Sequence, residues 1–260
     1  IYETPQEGIA CVAARIAKLI RGREAGGQKA VLSFASGRSM RDLFVELVRL
    51  HKEEGLSFKN VVVFCTYEFY PLTDLSTGSM AQIKSQLLDH VDILPENVHA
   101  IPGDLPKENI LTFCDDYEKL IASVGGIDIQ VLGIGQCGNI AINEPGTQAN
   151  SSTRLVIMDN NSRNDAKSLF GNAAQVPASA ITLGIDTILQ ATEVVLLAFG
   201  QHKANIVKQA IEGTATPACP ASLLQLHKNA SVALDLDAAN LLTRINHPWK
   251  VTNCEWTDQL

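Results

Sequence analysis

The densest grouping of reactive residue types lies in residues 131–146, VLGIGQCGNIAINEPG. An apolar run enters Gly133, Gly135 and Gly138 and leaves through the polar turn Asn143-Glu144-Pro145-Gly146. This pattern reads as a buried strand ending in a backbone-dense loop, the place where open α/β sheets bind ligands. The glycines let a ligand come close to the backbone. Glu144, fixed by Pro145, is a carboxylate that can contact a sugar or hold a proton-relay partner; the alternative is a rigid turn with an exposed acid. Cys137 can act as a nucleophile or simply pack as a buried thiol. Asn139 can hydrogen-bond but cannot shuttle a proton.

Three further groups sit at the ends of strand-like runs. Phe34-Ala35-Ser36-Gly37-Arg38-Ser39 carries a strand through a small-residue turn into a helix. Free N–H groups and the helix dipole draw an anion to such a point, and the Ser36 and Ser39 hydroxyls with Arg38 suit phosphate. An ordinary strand-to-helix turn with a serine cap is the alternative, because this is not a full P-loop. In Tyr67-Glu68-Phe69, Glu68 can serve as a base or orient one; otherwise it is a solvated loop acid. Lys203, in Gly200-Gln201-His202-Lys203, opposes the dipole of the helix it opens, which favours a ligand role. Lys167 and Arg163 are further candidate cations.

These groups need a scaffold that brings strand ends together. Short apolar runs at residues 30–35, 60–67, 98–101, 127–134, 154–158, 181–184, 193–199 and 231–236 read as strands. Helical spacing occurs at residues 9–20, 39–54, 80–88, 107–124, 163–170 and 202–212, with Ser39 a candidate N-cap and Asp42 three residues on. This alternation predicts an α/β fold, a Rossmann-like three-layer sandwich with a mostly parallel sheet and helices on both faces. Residues 1–246 read as one domain. Residues 247–260, which hold both tryptophans, depart from the pattern and read as an extension.

Composition narrows the partners. The chain has 260 residues, 46% of them apolar and 19% charged, which suits a packed globular core. Its net charge of -7 and lack of a basic stripe argue against nucleic acid. No apolar run reaches about 18 residues, so no membrane span is expected. Six scattered cysteines and six scattered histidines show neither a disulfide framework nor metal-ligand spacing. The first residues lack the basic start of a signal peptide. Free thiols in a reducing, cytoplasmic compartment are the expectation.

Taken together, SFASGRSM, LSFKNVVVF, LLDHVDILPENV, LGIGQCGNIAINEPG, AITLGIDTIL and PASLLQLH resemble the glucosamine-6-phosphate deaminase/isomerase family, including its galactosamine-6-phosphate branch. The match runs from about Ala30 to Leu236, and the Asn-Glu-Pro turn favours the deaminases over the related 6-phosphogluconolactonases. The resemblance implies a modified Rossmann-like fold and an aldose–ketose isomerisation coupled to ammonia loss, without metal or organic cofactor. It implies a histidine that helps open the sugar ring and a carboxylate that moves a proton between C2 and C1.

Position by position, the resemblance places the phosphate turn on Ser36, Gly37, Arg38 and Ser39 and the phosphate lysine on Lys203. The phosphate arginine falls at Ser168, with Lys167 beside it as a substitute. The proton-transferring aspartate falls at Tyr67, followed by Glu68. The Asp/Asn-Gly-His pattern becomes Cys137-Gly138-Asn139, so the ring-opening histidine is replaced, while its partner glutamate remains as Glu144. Tyrosine is mostly protonated at neutral pH, and positioned acid–base groups are typically worth about 10²–10⁴-fold each.

Three readings follow. The chain binds a hexosamine 6-phosphate with little or no turnover; or it is an active isomerase or deaminase with a site rebuilt around Glu68 and Glu144; or it is the effector-binding half of a sugar-responsive regulator. The expected partner is a small sugar phosphate, beside a homo-oligomeric copy or a fused domain. The last residues look like the end of the deaminase-like half of longer chains that continue into a deacetylase-like domain.

Overall fold

A computed structural model describes residues 1–172 and 174–246. The tryptophan-bearing extension lies outside the described residues. In chain order the elements are α1 (Pro5–Ala25), β1 (Ala30–Phe34), α2 (Arg38–Glu54), β2 (Val61–Cys65), β3 (Tyr67–Tyr70), α3 (Ser79–Gln86), β4 (Val98–His99), α4 (Ile110–Ser123), β5 (Ile129–Gly133) and β6 (Arg154–Ile157). There follow α5 (Asn160–Phe170), β7 (Ser179–Thr182), α6 (Ile185–Leu189), β8 (Glu193–Ala198), α7 (Ala204–Glu212), β9 (Ala230–Leu234), α8 (Leu236–Ala239) and α9 (Thr243–Asn246).

Six strands form one parallel sheet in the order β4-β2-β1-β5-β8-β9, with helices packed around it. The chain winds outward from β1 through β2 to β4, then returns to β5 and winds the other way. The order therefore reverses between β1 and β5, and the crevice beyond their C-terminal ends is the switch point at which such sheets bind ligands. Every residue of β1 and β2 is buried, which explains their largely apolar sequence, broken in β1 only by Ser33, since a parallel strand covered on both faces has no solvent-facing side.

A second, antiparallel sheet, β3-β7-β6, was not expected. Residues 60–67 read as one strand, but the chain leaves the main sheet at Thr66 and Tyr67 opens β3. A buried cluster holds that corner. Ser33 Oγ lies 3.1 Å from Thr66 Oγ1, which also accepts from Gln130 Nε2 at 3.0 Å. Thr66 O takes the Leu183 N–H. The small sheet thus carries Tyr67 from the end of β2 across the mouth of the switch point.

The start of α2 also differs from expectation. Gly37 is its N-cap, with φ at 126°, a conformation that favours glycine, and no side chain caps the helix. Ser39 lies one residue inside the helix, not at the cap. α1 runs longer than its apolar stripe because Thr4 caps it and Pro5 occupies the first turn. α5 begins earlier than expected, capped by Asp159. α7 starts at Ala204 after a 3-10 turn over Gln201–Lys203.

Candidate functional site

The phosphate-turn residues lie at the end of β1. Gly37 and Arg38 are exposed, and Ser36 and Ser39 are half-buried. With no side chain capping α2, its first N–H groups remain open to an anion. Across the switch point, Lys203 Nζ donates to Ile134 O, just beyond β5, at 2.8 Å. Burial holds Lys203 below the usual lysine range; the Arg38 charge adds to this, and the Asp165 carboxylate opposes it. Two cations and one acid therefore share a field at the point where the dipole of α2 emerges.

α5 supplies Asp165, which also accepts from Gln136 Nε2 at 3.3 Å. Lys167 and Ser168 are exposed on the same helix. Arg163 donates to Val176 O at 3.1 Å, toward the loop before β7.

Tyr67 and Glu68 are adjacent in sequence but opposite in role, because successive residues of β3 face opposite ways. The Tyr67 hydroxyl lies 2.8 Å from Ser36 Oγ, and burial pushes its pKa up to about 12. Its ring meets Phe69 edge-on. Glu68 points away. Its Oε1 accepts the N–H groups of Phe69 and Ser79 at 2.9 and 2.6 Å, and its Oε2 accepts that of Met80 at 2.9 Å. Glu68 is thus the remote cap of α3. A Cβ on Gly78 would sit 2.7 Å from both Glu68 oxygens, so the close approach requires glycine there. Burial raises the Glu68 carboxyl, against the pull of the three N–H donors.

The glycine-rich loop after β5 folds back on itself: Gly135 N–H donates to Asn139 O at 2.9 Å. Asn139 Nδ2 donates to Ser162 Oγ at 3.3 Å. Glu144 Oε1 accepts from Asp159 N–H at 3.3 Å, while its buried Oε2 has no partner among the described residues. Burial raises the Glu144 carboxyl, while the nearby Ser162 hydroxyl and the Asp159 N–H pull the other way. Cys137 is half-buried and accepts from Asn161 Nδ2 at 3.1 Å. It is one of five free thiols among the described residues.

Tyr67 thus meets the Ser36–Ser39 turn, Lys203 shares a field with Arg38 and Asp165, and Asn139, Cys137 and Glu144 lie against the start of α5. Glu68 turns away into the cap of α3. Sequence reasoning missed Ser162, whose Oγ accepts from Asn139, and Asp165, the acid facing Lys203. The first was marked only by Asp159 three residues earlier, a cap signal. Among the described residues no cluster of His, Cys, Asp and Glu is set to hold a metal. No helix among them is long and apolar enough to cross a membrane. Clefts of about 340 Å³ beside Glu118 and Thr187, and of about 680 Å³ beside Lys208 and Glu212, involve none of these groups.

An uncapped helix N-terminus and a lysine at the switch point of a doubly wound parallel sheet define an α/β protein of the Rossmann-like class. The chain belongs to the glucosamine-6-phosphate isomerase/6-phosphogluconolactonase family, whose pattern it matches over residues 3–233. It is 49% identical, over its whole length, to a glucosamine-6-phosphate deaminase-like protein of Bacteroides thetaiotaomicron, and it spans 39% of that protein's length. It is 41% identical to the glucosamine-6-phosphate deaminase of Shewanella woodyi, over 82% of this chain and 80% of that one. Its fold matches the solved structure of a monomeric glucosamine-6-phosphate deaminase with a TM-score of 0.87 and 33% identity, over 92% of this chain and 97% of that one.

Proposed function

We propose that this chain binds a hexosamine 6-phosphate at the β1–β5 switch point, without metal or organic cofactor, and turns it over slowly or not at all. The observation that carries this reading is the Tyr67–Ser36 hydrogen bond. Where the family resemblance calls for a proton-transferring carboxylate, the chain has a phenol that burial keeps protonated. Nearby, Asn139 offers an amide that cannot carry a proton. The α2 N-terminus, Arg38 and Lys203 still frame an anion, with Lys167 in reserve on α5. Binding is thus supported by more of the site than catalysis is.

Losing two positioned acid–base groups removes about 10²–10⁴-fold in rate for each. The test is an ammonia-release and ketose-formation assay with glucosamine 6-phosphate and galactosamine 6-phosphate, alongside calorimetric titration of both. Binding with turnover at least about 10²-fold below an active deaminase is the expected result. Turnover at an ordinary rate overturns it in favour of a rebuilt enzyme, for which Glu144 is the better candidate acid because both Glu68 oxygens are taken by backbone N–H groups while Glu144 Oε2 has no partner among the described residues.

The same reading makes the partner a sugar phosphate, not nucleic acid or membrane, and places the chain in the cytoplasm. The greater length of the Bacteroides relative supports work beside a further domain. A homo-oligomer is the other arrangement, and the solved relative described as monomeric argues for the first.

A further inference from the structure

Asp235 directly follows β9, whose last residue, Leu234, pairs with Ala198 at the end of β8. The acid is buried, with 4% of its surface exposed. Its hydrogen bonds are taken from the backbone. Oδ1 and Oδ2 each accept from the Gly200 N–H at 3.0 Å, and Oδ1 also accepts from the Ala238 N–H at 2.9 Å. The last of these caps α8. Serine or asparagine caps a helix about as well and leaves no charge to bury. The cap alone therefore does not account for a buried carboxylate, whereas the grip on Gly200 does.

Gly200 is where β8 passes the chain to the 3-10 turn Gln201–Lys203. Its φ of 87° lies in the left-handed region. Glycine is the freest of residues, so the heading of that turn depends on what holds its N–H. Gly200 O in turn accepts from the Lys203 N–H at 2.9 Å, and Lys203 Nζ reaches Ile134 O beyond β5. We propose that Asp235 is a positioning residue: by holding the Gly200 N–H it sets the turn from which Lys203 reaches the switch point. That Lys203 meets a ligand phosphate there rests on the proposed function, whereas the line from Asp235 through Gly200 to Lys203 belongs to the ligand-free chain.

The test uses the whole chain with Asp235→Ser, Asp235→Asn, Lys203→Met and the Asp235→Ser/Lys203→Met pair. Serine keeps a hydroxyl for the Ala238 N–H but is too short to hold Gly200 as well. Asparagine keeps the cap and sets an amide NH₂ against the Gly200 N–H. Side-chain carbon signals of Lys203 are followed by NMR from about pH 7 to pH 11 without ligand, and glucosamine 6-phosphate binding is measured by calorimetry. Arg38 and Asp165, the charged groups that act on the amine, are unchanged in every variant. In Asp235→Ser the Lys203 midpoint should move up toward the ordinary lysine value, because an amine released from Ile134 O loses its burial. Affinity should fall about threefold or more in the native background and not at all in Lys203→Met, since coupled residues are not additive. A Lys203 midpoint unmoved in a folded Asp235→Ser, or an equal loss of affinity in both backgrounds, overturns the proposal. Should Asp235→Ser not fold, Asp235→Asn carries the midpoint and affinity readings with the same expectations. Failure of both variants to fold would show that Asp235 serves the cap of α8 instead, and overturns it too. A shifted Lys203 midpoint in a chain that does not bind glucosamine 6-phosphate overturns the proposed function alone.

Discussion

Tyr67 Oη and Ser36 Oγ stand 2.8 Å apart, joining the first residue of β3 to the turn that opens α2. This bond ties the small antiparallel sheet to the ligand end of the large one. It also occupies one of the hydroxyls the turn would otherwise offer to phosphate. Tyr67→Phe should therefore separate stability from binding. Loss of one hydrogen bond should cost about 0.5–1.5 kcal/mol of unfolding free energy. Affinity for glucosamine 6-phosphate should hold or improve, because Ser36 is freed. Urea unfolding and calorimetry read the two effects, and a large fall in affinity would mean that the phenol itself touches the ligand.

Lys203 should show the opposite trade. Its folded pKa is lowered by burial, so the folded chain resists protonating it. That cost is present at neutral pH and disappears as pH rises toward the unfolded lysine value, where neither state binds the proton. Lys203→Met should melt at least as high as the native chain at pH 7, with the difference narrowing in alkali. Its affinity for glucosamine 6-phosphate should fall about tenfold or more, because a charge-assisted hydrogen bond is worth about 1.5–3 kcal/mol.

Glu68→Gln tests whether the carboxylate next to Tyr67 is structural or chemical. A glutamine oxygen replaces only one of the two acceptors, and its amide would meet an N–H donor of α3. We expect about 1–3 kcal/mol of destabilisation and little change in ligand affinity. A stable variant that has lost turnover would instead place Glu68 in the chemistry.

Glu144 has a raised folded pKa, so its ionisation weakens the fold as pH climbs from the unfolded glutamate value through the folded one. Glu144→Gln should be more stable than the native chain at pH 7, and the gap should close in mild acid. Thermal melts between about pH 4 and pH 7 check this. A variant less stable at every pH would show that the hydrogen bond from the Asp159 N–H outweighs the burial of the charge.

Much of the frame was legible because parallel strands and amphipathic helices write themselves in short range. β1, β5 and β8 appeared as apolar runs, and the strand-to-helix turn at Ser36-Gly37 was legible from the small residues between strand and helix. What was not legible depended on distant partners. Val61 to Tyr70 is nearly unbroken in β-formers, and nothing local marks Thr66 as the point of departure; its corner is set by Ser33 and Gln130. Glu68 looked free because its acceptors' partners, Ser79 and Met80, lie a loop away. Ser39 carried the usual cap chemistry, yet Gly37 took the position through a backbone angle that no side chain reveals.

The β1–β5 pairing has a consequence for the nascent chain. Asp128 Oδ2 accepts the Val31 N–H across 97 residues of sequence, and the N–H and C=O groups along that edge of β1 wait for β5. At roughly 5–20 residues per second on the ribosome, the gap lasts on the order of 5–20 seconds. Throughout it, a largely apolar strand presents an open hydrogen-bonding margin to any passing β-prone segment. The proposed ligand site therefore matures late in synthesis, and slowing translation between residues 34 and 129 should raise co-translational aggregation without altering the finished protein.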